Sequence, residues 1–185
     1  NQYNKSWKQQ VAALTALSQI AIPKILNKID TVILSQIINK LIFSSQPRVQ
    51  YSSLLLLSGI TLEYGVDILH NSSTKVETNA ISLYLYINNL SQILLDFHAP
   101  CVQQIASVAL QSLLDILGDI DENNDKNGKQ LLALFTPETV ENLVNMIITI
   151  FQHPLLLQKS DAIGLQLSIF PCIAQIAAIK TDSFL

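Results

Sequence analysis

The chain carries a single arginine, Arg48, among 185 residues. Proteins that grip nucleic-acid phosphates usually line up arginines on a basic stripe. Here the ten lysines scatter from Lys5 to Lys180 and the net charge is −3. No direct nucleic-acid contact is expected. Cysteine is also scarce: Cys101 and Cys172 stand far apart. Two such residues make no disulfide framework and fit a reducing compartment, so an intracellular location, cytoplasmic or nuclear, is expected. Charged residues make up only 14% of the chain against 49% hydrophobic, and mean hydropathy is +0.35. Yet no window holds the roughly 18 unbroken apolar residues of a membrane span. The run "LLLLSGITL" (54–62) is short and includes Ser58, Gly59 and Thr61. The opening "NQYNKSWKQQ" lacks the basic-then-apolar layout of a signal peptide. No membrane span is expected, and the apolar content must be buried or meet another surface.

The constellations of catalysis are missing too. There is no Gly-rich phosphate loop and no paired-acid cleft. Cys101 stands at a helix start, which lowers a thiol pKa, and His98 is near it. No third member accompanies them, so Cys101 is expected to be a small buried hydrophobe and the chain not an enzyme. His98, Cys101 and His153 are the only clustered soft ligands. Zinc needs three or four ligands at close spacing, so the histidines are expected to close helices beside their last carbonyls. The acidic stretch Asp119 to Gly128 resembles a calcium loop only in part. Counting from Asp119, its sixth position is Asn124 and its twelfth Gln130, where such a loop needs Gly and a bidentate Glu. A solvated loop is expected, and no cofactor or metal. The N-x-S triplets at Asn4, Asn71 and Asn89 are expected by chance in a chain rich in Asn and Ser.

What the chain does have is apolar residues at helical spacing. Leu83, Ile87, Leu90 and Leu94 trace one face, and Ile105, Val108, Ala109, Ser112, Leu113 and Ile116 another. Alternating strand patterns are nearly absent, so the fold is expected to be all-α. Helices are predicted over about 5–21, 24–43, 47–65 or 69, 76–97, 100–118, 137–152 and 155–179, with a short one at 129–135. Loops are predicted at 70–75 and 118–129. Thr136-Pro137-Glu138-Thr139 is a helix start: Thr caps, Pro takes the first position, and the acid favours the positive end.

Prolines recur at 47, 100 and 154, at intervals of 53 and 54 residues. "NKLIFSSQP" (39–47), "QILLDFHAP" (92–100) and "NMIITIFQHP" (145–154) each close an apolar helix before one. Val49, Val102 and Leu156 follow two positions later, and Gly65 and Gly118 lie 18 after the first two prolines. Proline has no amide hydrogen, so it stops one helix and is tolerated in the first turn of the next. Each unit therefore reads as helix A, a tight turn, then helix B, with units near 1–22, 23–69, 76–118 and 136–179. "KQQVAALTALSQIAI" (8–22) is similar to "VQQIASVALQSLLDI" (102–116), which makes the first helix the helix B of an earlier unit. One pair cannot bury both apolar faces, whereas stacked pairs can.

"QPRVQYSSLLLLSGI" (46–60), with proline at the turn and then Arg48-Val49, resembles the HEAT/armadillo superfamily of helical repeats. The resemblance implies a right-handed α-solenoid of about three antiparallel helix pairs plus a leading helix. It departs from the family where Cys101 and Leu155 replace the arginine and where the units run long. The resemblance further implies a protein-interaction scaffold that presents a groove to a peptide, a helix or a globular partner.

Polar side chains at the helix B starts are the candidate partner-binding residues: Arg48, Gln50 and Tyr51; Gln103 and Gln104; Gln158, Lys159 and Asp161. Tyr84 and Tyr86, two apart, cannot share a helix face, so one is expected in the core. Both chain ends stay apolar in helical pattern, as in "AQIAAIKTDSFL". Capped repeats carry a polar outer face, so a segment of a longer array, or an end closed by another chain, is expected. The alternative function is a structural spacer within a large enzyme or transport receptor.

Overall fold

A computed structural model describes residues 3–20, 31–64, 86–96, 99–119, 132, 135–154 and 160–181. The helices are α1 (Tyr3–Ile20), α2 (Thr31–Leu41), α3 (Pro47–Tyr64), α4 (86–94), α5 (Pro100–Gly118), α6 (Pro137–Gln152) and α7 (Ser160–Thr181). No strand occurs among the described residues, and the fold is all-α. The loop predicted at 70–75, all but the first two residues of the loop predicted at 118–129, most of the short helix at 129–135, His98, Tyr84, Leu155 and Leu156 lie outside the described residues. Tyr86, the other member of its pair, is in the core.

The proline signals act as their chemistry dictates. Pro47, Pro100 and Pro137 each open a helix. At the first two, the residue before proline supplies the backbone acceptor. The carbonyl of Gln46 accepts from the amides of Val49 and Gln50, and that of Ala99 from Val102 and Gln103. At the third, the Thr136 hydroxyl accepts from the Thr139 amide at 3.2 Å, satisfying a donor that has no partner within the helix. His153 closes α6, its amide donating to the Ile150 carbonyl. Pro171 lies inside α7. It leaves the Leu167 carbonyl without its helical donor, yet the apolar pattern carries the helix through.

Packing follows chain order. α1 lies against α3, α3 against α5, and α5 against α7. α2 packs on α3, and α6 on α7. Asn89 of α4 reaches Asn39 of α2 at 3.4 Å. α5 is the centre of the core: Ala106, Ala109, Leu110, Leu113, Leu114 and Leu117 are almost fully buried. A helix that is apolar on nearly all sides is one surrounded by protein or by lipid. By length and composition α5 could cross a membrane, but most of it is covered here, by α3 and α7.

Hydroxyls join successive helices of this row. Ser58 of α3 meets Ser112 of α5 at 3.2 Å. Ser107 of α5 donates to Ser168 of α7 at 2.6 Å, and the Cys172 thiol reaches the Ser107 carbonyl at 3.6 Å. Small polar residues allow close helix approach, and Ser107, Ser112 and Ser168 each also lie within hydrogen-bond distance of a carbonyl in their own helix, those of Gln104, Val108 and Leu165.

Candidate functional site

α3 and α5 are buried on all sides but one. On α3 the exposed stripe runs through Arg48, Tyr51, Leu55, Gly59 and Leu62. On α5 it runs through Cys101, Gln104, Val108, Gln111 and Asp115, where the last three are half-buried. Both stripes begin one and four residues after their proline, so equivalent positions face solvent on the two helices. Cys101 is exposed. This corrects the expectation of a buried residue: it occupies the position of Arg48, at the open end of the stripe.

The polar candidates at the helix B starts divide into two kinds. Arg48, Tyr51 and Gln104 are exposed on the stripes. The Arg48 guanidinium lies over the Trp7 ring of α1, 5.5 Å from its centroid, with Lys8 at 5.6 Å. The Gln104 carboxamide lies beside Gly164 of α7. Gln50 and Gln103 turn inward instead. Gln50 Nε2 donates to the Ile42 carbonyl at 3.1 Å, and Gln103 Nε2 to the Leu94 carbonyl at 2.7 Å. Each glutamine stands three residues after its proline and ties down the end of the preceding helix, α2 or α4. Gln103 is 2% exposed and presents nothing to a partner. Gln158 and Lys159 lie outside the described residues, and Asp161 is in the first turns of α7. The recurrence of glutamine at one offset from proline was the available signal for this inward role.

A second surface lies on the other helices. An open groove of about 330 Å³ runs between α4 and α6. Ile87, Leu143 and Met146 form its apolar part, and Asn88, Asn142 and Asn145 its polar part. No described residue lining it is charged. Sequence reading did not single out these asparagines, because Asn88 lies more than fifty residues before Asn142 and Asn145 and only packing of α4 beside α6 gathers them.

Ionisable groups are few. Burial, and then the Asp119 carboxylate one turn on, raise the Asp115 pKa. Burial, then the Asp115 carboxylate, push the Cys172 thiol up to about 12, which makes it inert. Among the described residues no three His, Cys, Asp or Glu side chains come together as metal ligands. At the far end of the row, Leu167 and Phe170 of α7 and Ile148 of α6 are exposed at 66%, 58% and 44%. No protein-family model, curated protein or solved structure matches this chain.

Proposed function

We propose that the chain is a non-enzymatic scaffold of HEAT/armadillo type, a solenoid of antiparallel helix pairs that displays its faces to a protein partner inside the cell. The observation that carries this reading is the chain-order row α1, α3, α5, α7, in which each helix packs on the next. Among the described residues α1 has no extensive packing on α5 or α7 that would close the row, and matched stripes lie on α3 and α5. A surface held by packed helices is ordered before the partner arrives, which lowers the entropy cost of binding on the scaffold side. Arg48, Tyr51 and Gln104 are the exposed polar anchors on it.

The test replaces these three with alanine. All are exposed, so thermal stability stays close to that of the parent chain. Loss of a partner captured from the native source, identified by mass spectrometry and rebound by purified parent chain, supports the scaffold. Capture unchanged by the triple substitution refutes the stripe as the binding surface. The second reading, a structural spacer, is favoured by the exposed Leu167, Phe170 and Ile148 at the end of the row. Apolar residues grouped in this way belong to a contact with further protein. On that reading, Leu167→Asp with Phe170→Asp disrupts the larger assembly while the α3 and α5 stripes remain neutral to change.

A further inference from the structure

We infer that Trp7, Lys8 and Arg48 form a docking point for an acidic segment of the protein partner, whose carboxylates pair with the two cations. This rests on the scaffold reading and gives it a ligand class. Charge is spread unevenly along the chain. Up to Leu62, six Lys or Arg stand against a single acid, Asp30; from Glu63 onward, five stand against thirteen. α1 and α2 hold no Asp or Glu, and the one acid of α3 is Glu63, about 22 Å along the axis from Arg48 at the helical rise. Among the described residues neither Lys8 nor Arg48 meets a carboxylate. Both lie over the one Trp7 ring, at 5.6 Å and 5.5 Å from its centroid. Their charges are therefore at most about 11 Å apart, close to one screening length of about 10 Å at 0.1 M salt, and act together on an incoming ion.

Arg48 also stands where a cation is least expected. It is in the first turn of α3, beside Pro47, and that turn carries no acid. The positive end of a helix favours carboxylates and disfavours cations. Residues set against a local rule are characteristic of functional positions. The Trp7 ring, itself packed against the core, holds the guanidinium without using up its edge. An arginine over an aromatic face keeps its five N–H groups for a planar anion, and a carboxylate takes two of them in parallel. Tyr51, one turn further along the exposed stripe, adds a hydroxyl donor. A segment bearing Asp or Glu supplies the missing charge at each point. Nucleic acid is the poorer fit. Its phosphates run on beyond the two cations, and the rest of the chain, with five Lys against thirteen acids, repels them.

Trp7 is the only tryptophan, so its emission reads this point directly. The experiment titrates the whole 185-residue chain with octaglutamate, its termini blocked, in about 20 mM NaCl at pH 7. Blocked octaglutamine and octathymidylate are titrated beside it. The expected result is a saturating change in emission with octaglutamate and none with octaglutamine, lost in about 0.5 M NaCl. Arg48→Gln and Lys8→Gln each weaken binding at least about threefold, as loss of an exposed charge pair does, with unchanged melting curves. Lys180→Gln, the same change of charge in the last turn of α7, weakens it less than about twofold. No response to octaglutamate, an equal response to octaglutamine, a Lys180→Gln effect as large as that of Arg48→Gln, or tighter binding of octathymidylate each overturns the inference. Octaglutamate ignored by a chain whose captured partner still depends on Arg48, Tyr51 and Gln104 removes this inference and leaves the scaffold standing. Octaglutamate bound at Arg48 by a chain whose captured partner ignores that triple substitution removes the stripe instead.

Discussion

Gln103→Ala is the substitution that most directly tests how the helices are fastened together. The Gln103 amide is buried and donates at 2.7 Å to the carbonyl of Leu94, a residue with no solvent exposure. Removing the amide leaves that carbonyl without its partner, at a cost of about 1–3 kcal/mol. The side-chain atoms lost from a packed position add about 1 kcal/mol. A total near 3 kcal/mol lowers Tm by about 6–12 °C for a chain of this size. Gln50→Ala removes the equivalent bond, but Gln50 is half-buried and its bond is 3.1 Å long. Water replaces it there, and the cost falls to about 1 kcal/mol. Gln104→Ala, on the exposed stripe, stays within about 0.5 kcal/mol. Urea and thermal unfolding followed by circular dichroism give the three values. The reasoning fails if Gln103→Ala is neutral, or if Gln104→Ala costs as much.

Other outcomes follow from the same structure. Ser58→Ala and Ser112→Ala each cost about 1 kcal/mol, and the double variant costs clearly less than their sum, because removing both partners leaves no orphan; a double-mutant cycle by urea unfolding measures the coupling. Asp115 has a raised pKa in the folded chain, so folding favours its protonated form. That contribution is full below the unfolded pKa and is lost as pH rises through the folded one. Asp115→Asn is therefore more stable than the parent at pH 7 and shows a flatter stability profile above about pH 4, the ordinary aspartate range; a stability profile identical to the parent's sinks this. A thiol reagent at pH 8 modifies Cys101 and spares Cys172, whose thiol is buried and pushed up to about 12; two equivalents reacting in the native chain at similar rates contradicts the buried placement. Trp7 is the only tryptophan, and Arg48→Ala shifts its emission by removing the stacked guanidinium.

Local chemistry made much of the helical framework legible in advance. Pro100 with Gly118, and Thr136-Pro137 with the residues before Pro154, mark α5 and α6 to the residue, because proline and capping hydroxyls act within one turn. Pro171 shows the limit of such signals: the same residue type lies within α7, where burial of Leu165, Ile169, Cys172 and Ile176 outweighs one missing hydrogen bond. The stripe was partly legible. Arg48, Tyr51 and Gln104 face outward as polar residues usually do, but Gln50 and Gln103 look the same in sequence. What separates them is an unpaired carbonyl on another helix, which no local pattern reveals. The groove was not legible, since Asn88 and Asn142 meet only once α4 and α6 are side by side.

The serine contacts along the row fall at different heights. Ser58 stands eleven residues past its proline and meets Ser112, twelve past its own; Ser107 stands seven past Pro100 and meets Ser168, fourteen past Pro154. The counterpart of Ser107 on α3 is Leu54, fully buried, and the counterpart of Ser112 on α7 is Gln166. In the proposed array of tandem copies, docking onto the wrong copy is the hazard to be met. Skipping α5 would set a leucine or a glutamine against a serine hydroxyl, so on that proposal each seam is a key cut for one neighbour.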